Sequence, residues 1–119
     1  MTIEEVYEKI NGDYEDVLNR LPKPELVKKF ALKFLDDSSF NDLTKALAED
    51  NMENAFRAAH TLNGVCLNLG FKGLYESSQV NTEALRPQNE TVSKEEVMSL
   101  YEKLEKDYLV VINCIKELD

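Results

Sequence analysis

Ala59-His60-Thr61-Leu62-Asn63-Gly64, running on to Leu69-Gly70, sets the sole histidine of this 119-residue chain one helical turn before a glycine. Around it Met52, Ala55, Ala59, Leu62, Cys66 and Leu69 recur at alternating spacings of three and four, the narrow apolar stripe of a helix packed into a bundle. At about 100° per residue, His60 points roughly 130° away from the centre of that stripe. Gly64 lies further round still, and Phe56 and Leu67 run along one flank as a partly apolar rim. The imidazole is therefore expected in solvent, beside a surface suited to docking another protein. A glycine inside a helix costs about 1 kcal/mol relative to alanine, and the simplest reason to keep one here is access to the ring.

The same periodicity extends outward in both directions, and no run alternates apolar and polar residues as a strand would, so the chain is read as all-α. A first helix is expected from about Thr2 to Asn11, ended by Asn11-Gly12. Asp13 can cap a second short piece carrying Tyr14, Val17, Leu18 and Leu21, which Pro22 and Pro24 break. Pro24 suits the first turn of the next helix, whose core face is Leu26, Val27, Phe30, Ala31, Phe34 and Leu35. Asp36-Asp37-Ser38-Ser39 interrupts it. A shorter helix with Phe40, Leu43, Ala46 and Leu47 follows, and Glu49-Asp50-Asn51 supplies the turn and cap for the histidine helix, Met52 to Leu69, which Gly70 stops. A tight return through Phe71-Lys72-Gly73 leads to a helix from about Leu74 to Leu85. Pro87 to Thr91 is the longest loop. Ser93 and Glu96 make a capping box for a long last helix, whose apolar face runs from Val97 through Leu104 and Ile112 to Leu118. The expected architecture is an antiparallel up-down four-helix bundle, with the short N-terminal helices capping one end.

With 43% apolar residues the chain fits one domain, 1–119, with a sizeable core. A net charge of −9 argues against nucleic-acid binding, which needs a basic face, and against an anionic membrane surface. No segment approaches the roughly 20 apolar residues of a membrane span, and Met1-Thr2-Ile3-Glu4-Glu5 is acidic where a signal peptide would be basic, so a cytoplasmic location is expected. Cys66 and Cys114 match no zinc or redox spacing and read as buried small hydrophobes. No glycine-rich phosphate loop precedes a lysine, which argues against ATP as a substrate. Di-metal bundle chemistry needs Glu-x-x-His pairs, whereas Arg57 stands three before the histidine, so neither metal nor other cofactor is expected.

His60-Thr61-Leu62-Asn63-Gly64, with Leu69-Gly70 following, resembles the signature of histidine phosphotransfer (HPt) domains. That pattern is a histidine, any residue, a leucine, usually a lysine, a glycine, four variable residues, an aliphatic residue and a glycine. Asn63 stands at the lysine position and is the one departure. The resemblance implies a four-helix bundle whose exposed histidine accepts a phosphoryl group from an aspartyl phosphate on a receiver domain, or from a sensor histidine kinase, and passes it on. A phosphoryl carrier needs a nucleophile neutral near pH 7, which an imidazole with its ordinary pKa of about 6.5 supplies without an activating base.

On that footing Gly64 clears space for phosphate and partner, and Phe56 and Leu67 belong to the docking surface. Asn63 could donate an amide hydrogen bond to a phosphoryl oxygen, though charge-assisted bonds are roughly twice as strong. Arg57, over whose turn the His60 ring leans back, is the candidate substitute cation. The glutamine that many family members carry on the following helix corresponds to Thr82 here, with Gln79 one turn away. The implied partners are a response-regulator receiver domain and a sensor histidine kinase, the protein itself being a monomer and a substrate more than an independent enzyme. The competing reading is a non-catalytic helical adaptor that binds a receiver or kinase without carrying phosphate.

Overall fold

The computed structural model describes residues 1–89 and 91–119; Glu90, within the loop expected over Pro87–Thr91, lies outside the described residues. Among them the chain forms α1 (Ile3–Lys9), α2 (Tyr14–Arg20), α3 (Pro24–Lys33), α4 (Ser39–Ala48), α5 (Met52–Leu69), α6 (Lys72–Ala84) and α7 (Lys94–Ile115), with a 3-10 turn over Phe34–Asp36. The described residues contain no strand.

Helices α4 to α7 each pack against the next, and aromatic contacts bring α7 back to α4. Phe40 stacks on Tyr108 with ring centroids 4.0 Å apart and on Tyr101 at 5.7 Å, while the Thr44 and Tyr101 hydroxyls are 2.7 Å apart. Early α4 thus meets late α7, as early α5 meets the end of α6, and the four form the expected antiparallel bundle. Leu43, Leu62, Leu74, Leu104 and Ile115 fill its centre and are fully buried or nearly so.

The helix ends follow local chemistry. The Asn51 side chain accepts from the Asn54 amide at 3.1 Å and starts α5. Gly70 ends it in the left-handed region, with φ of 68°. Ser93 accepts from the Glu96 amide at 3.1 Å, half of the expected capping box; the complete reciprocal box forms instead at Thr2 and Glu5. Asp37, read only as part of an interruption, accepts from the Ser39 amide at 3.0 Å and so holds the start of α4.

Several boundaries and burials differ from the sequence reading. Helix α6 starts at Lys72, two residues early, because Phe71 is fully buried and serves as its N-cap, and α7 ends at Ile115 rather than near Leu118. Met52 is only half-buried, and Ala58 joins the core in its place. Small residues at 55, 58 and 59 let α4 approach closely and widen the covered arc. Cys66 is buried, and burial pushes its thiol above the ordinary value, whereas Cys114 is only half-covered.

The short N-terminal helices close the end of the bundle that holds the α5–α6 turn. The buried Tyr7 hydroxyl donates to the Leu69 carbonyl at 2.6 Å, the Asp13 amide to the Gly70 carbonyl at 2.7 Å, and the Gly73 amide to the Asn11 carbonyl at 3.2 Å. Backbone lies against backbone here: a Cβ at Gly70 would fall 2.7 Å from the Asp13 carbonyl oxygen. From α2, Arg20 donates to the Leu67 and Asn68 carbonyls, each at 3.0 Å, and ties α2 to the last turn of α5.

Candidate functional site

His60 lies in the middle of α5, and its ring is exposed to solvent. One turn on, a Cβ built at Gly64 would meet nothing within 4 Å, so no neighbouring helix occupies the space beside the ring. One turn back, the Phe56 ring sits 6.0 Å from the imidazole at an interplanar angle of 44°. Leu67, two turns on, is 52% exposed although it is a large apolar residue. Phe56, His60, Gly64 and Leu67 therefore form one continuous strip, apolar at both ends and open over its centre.

The polar candidates separate. Asn63 turns from solvent toward α6, where Nδ2 donates to the Tyr75 carbonyl and to Ser78 Oγ, both at 3.1 Å, so both of its amide hydrogens are committed there. Thr82 is likewise turned inward: it is 2% exposed, and its hydroxyl donates to the Ser78 carbonyl one turn back at 2.8 Å. A β-branched hydroxyl residue in a helix readily satisfies itself in this way, and it leaves nothing to offer at the surface. Gln79 is half-buried and lies 3.5 Å from Glu83 Oε1. Arg57 reaches back to Glu53 Oε1 at 2.7 Å, away from His60, with both side chains about 70% exposed. Such a pair stabilises by well under 1 kcal/mol and can be given up easily.

Arg86, a cation that the sequence reading passed over, touches this strip. Its guanidinium lies over the Phe56 ring, 5.5 Å from the centroid, and its Nε donates to Glu83 Oε2 at 2.9 Å. That hydrogen bond raises the arginine above its ordinary value and lowers the glutamate. The side chain is thus laid along the aromatic neighbour of His60. Folding the chain back on itself at Gly70 would have revealed it, since Arg86 follows the turn by about as many residues as Phe56 precedes it.

Chemically, the strip offers a nucleophile without an enclosing site. Among the described residues no three His, Cys, Asp or Glu side chains gather as a metal site requires, and no helix is long and apolar enough to cross a membrane. An imidazole on a convex helix face, with a gap beside it and apolar residues at both ends, suits a reaction completed by a second protein.

A family model described as the Hpt domain matches residues 34–116, which takes in the last residues before α4, all of the four-helix bundle and the whole His60 strip. No curated protein and no solved structure gives a significant match to the chain. The match spans well over half of the sequence and agrees with the observed bundle: this chain belongs to the histidine phosphotransfer domain family of two-component signalling.

Proposed function

We propose that the chain is a single-domain phosphoryl carrier of a phosphorelay, with His60 as the residue phosphorylated. The exposure of His60 next to the unfilled space at Gly64 carries this reading. The unprotonated ring nitrogen attacks the phosphorus of an aspartyl phosphate on a receiver domain. An N–P bond forms as the P–O bond to the aspartate breaks; the aspartate departs as a carboxylate, and the ring keeps its N–H and becomes formally cationic. The reverse step returns the group to a second receiver. Positioning and charge stabilisation dominate such transfers, and an open helix face leaves most of both to the partner.

Phe56, Gly64 and Leu67 serve in this reading as the docking strip, while Arg57 and Arg86 are the cations available to the phosphorylated ring. Arg86 is favoured of the two, because it lies over the Phe56 ring that neighbours His60, whereas Arg57 points to Glu53. Gln79, half-exposed on α6, can hydrogen-bond a phosphoryl oxygen by releasing Glu83. Asn63 supports the site from behind through its bonds to α6, and Thr82 takes no part in it.

The test is incubation with a panel of aspartyl-phosphorylated receiver domains from the source genome, followed by mass spectrometry for an acid-labile phosphate on His60. Transfer to the parent and none to His60→Gln, with an unchanged circular-dichroism melt, is the expected result. Receiver binding without any transfer would favour the non-catalytic adaptor instead.

A further inference from the structure

Arg86 is fixed on three sides. Its backbone stands just past the end of α6, where its amide donates to the Glu83 carbonyl at 3.3 Å and its carbonyl accepts from the Asn89 amide at 2.9 Å. The guanidinium lies over the Phe56 ring, 5.5 Å from the centroid. Its Nε donates to Glu83 Oε2 at 2.9 Å, although both side chains are nearly half exposed. Glu83 is itself steadied, because Gln79, one turn back on α6, brings Nε2 to 3.5 Å from the other carboxylate oxygen, Oε1. Gln79, Glu83 and Arg86 follow one another at spacings of four and three, the spacing of one helix face.

A guanidinium is a fork of N–H donors, and the bond to Glu83 takes the one on Nε. Among the described residues neither Nη of Arg86 makes a hydrogen bond or ion pair. The edge formed by the two Nη groups is the one that meets two phosphoryl oxygens at once, the paired geometry that suits arginine to phosphate. Arg57 is held the other way, with an Nη spent on Glu53. The Phe56 ring on which Arg86 rests lies 6.0 Å from the His60 imidazole.

We propose that Glu83 is a positioning residue for the phosphoryl group on His60: by taking the Nε–H of Arg86, it holds the guanidinium against Phe56 and leaves both Nη groups to phosphoryl oxygens. The inference rests on the function proposed above. Arginine carries as much rotamer freedom as any side chain, and fixing it before the phosphoryl group arrives lowers the ordering cost of the contact. The carboxylate also repels a phosphoryl dianion, but across solvent that screens exposed charges. Its hold on the cation that makes the direct contact is the larger effect.

The experiment compares the parent, Glu83→Ala, Glu83→Gln, Arg86→Ala and the combination of Glu83→Ala with Arg86→Ala, with circular dichroism verifying that each is folded. His60 is phosphorylated with phosphoramidate, whose N–P bond breaks as the bond to the ring forms and ammonia leaves. Phosphorus NMR then follows the second ionisation of the phosphoryl group against pH. A bound guanidinium favours the dianion, so the midpoint should rise by up to about 0.7 unit in Arg86→Ala and by about half as much in Glu83→Ala. In Glu83→Gln it should stay at or below the parent value, because the amide oxygen still accepts from Nε while the repelling charge is gone. In the combined variant it should rise no further than in Arg86→Ala. The equilibrium phosphorylated fraction with the fastest receiver of the panel should fall in the same order. A midpoint lowered by Glu83→Ala, or raised equally with and without Arg86, would overturn the positioning role and leave phosphotransfer untouched. Midpoints in the expected order, with no receiver able to phosphorylate the parent, would remove the phosphorelay and keep the hold on Arg86.

Discussion

Asn63 on α5 and Ser78 on α6 are joined side chain to side chain, Nδ2 donating to Oγ at 3.1 Å. The serine is fully buried, and its hydroxyl donates in turn to the Tyr75 carbonyl at 3.0 Å. At the position where the family usually carries a lysine, this chain therefore has a strut between two helices. On the function proposed above, a phosphorylated imidazole would draw its counter-charge from elsewhere.

Replacing the strut should separate folding from phosphorylation. Asn63→Ala loses two hydrogen bonds to α6 and leaves Ser78 short of a donor, a cost of about 1–3 kcal/mol. Asn63→Lys should be destabilised by a similar amount, yet it places an ammonium on the flank of His60 and should raise the fraction phosphorylated at equilibrium with a receiver. Denaturant melts of both variants and an exchange assay on the lysine variant check the two halves independently.

The two arginines should prove unequal. Arg86→Ala is expected to lower the equilibrium phosphorylated fraction about two- to fivefold at low salt, the scale of one exposed charge pair, and Arg57→Ala less. Raising the salt should shrink both effects, since the groups are exposed and the Debye length is about 8 Å at physiological ionic strength. If Arg57→Ala had the larger effect, the Phe56-stacked position of Arg86 would be incidental.

At Gly64 stability and access should move in opposite directions. Because a Cβ there meets nothing within 4 Å, Gly64→Ala should stabilise α5 by up to about 1 kcal/mol. Gly64→Gln should keep most of that gain and still slow phosphotransfer, because its side chain fills the gap beside the imidazole. Thermal melts and receiver-dependent transfer rates, measured on the same preparations, test this.

Alkaline stability should trace to Tyr7. Burial, helped by the neighbouring Tyr14, holds its hydroxyl well above the ordinary value near 10. The folded state then keeps the proton that the unfolded state gives up, so this contribution is intact below about pH 10 and falls as pH rises beyond it, by up to about 1.4 kcal/mol per pH unit. Tyr7→Phe should cost about 1 kcal/mol near neutrality, by leaving the Leu69 carbonyl without its donor, and should reduce the slope above pH 10. Unfolding midpoints of parent and variant between pH 7 and 11 measure both effects.

The helices were legible because their signals are local. The stripe from Ala55 to Leu69, the caps at Asn51 and Ser93 and the stop at Gly70 each depend on residues within a turn or two, and each appears in the structure. The exposure of His60 follows from the same wheel. What one helix wheel does not contain is the rotation of α6 against α5. That rotation sends Thr82 inward, spends the Asn63 amide on Ser78 and lays Arg86 over Phe56. A hollow lined by Leu67, Asp13 and Glu76 was hidden for the same reason, since it closes only once α2 has docked beside the α5–α6 turn.

Gly70 gives the signature a second meaning. A side chain there would have to occupy the place of the Asp13 carbonyl while holding a left-handed backbone. Any such replacement therefore forces the backbone at Asp13 to shift away from the end of α5. Gly64 could be exchanged for alanine with the architecture intact. The two glycines of the pattern thus do different things: the first leaves open space one turn beyond His60, and the second lets the backbone of the α1–α2 turn lie against the end of α5. A chain that lost only the second would keep His60 on an intact stretch of α5 and lose the fit of the N-terminal helices beneath it.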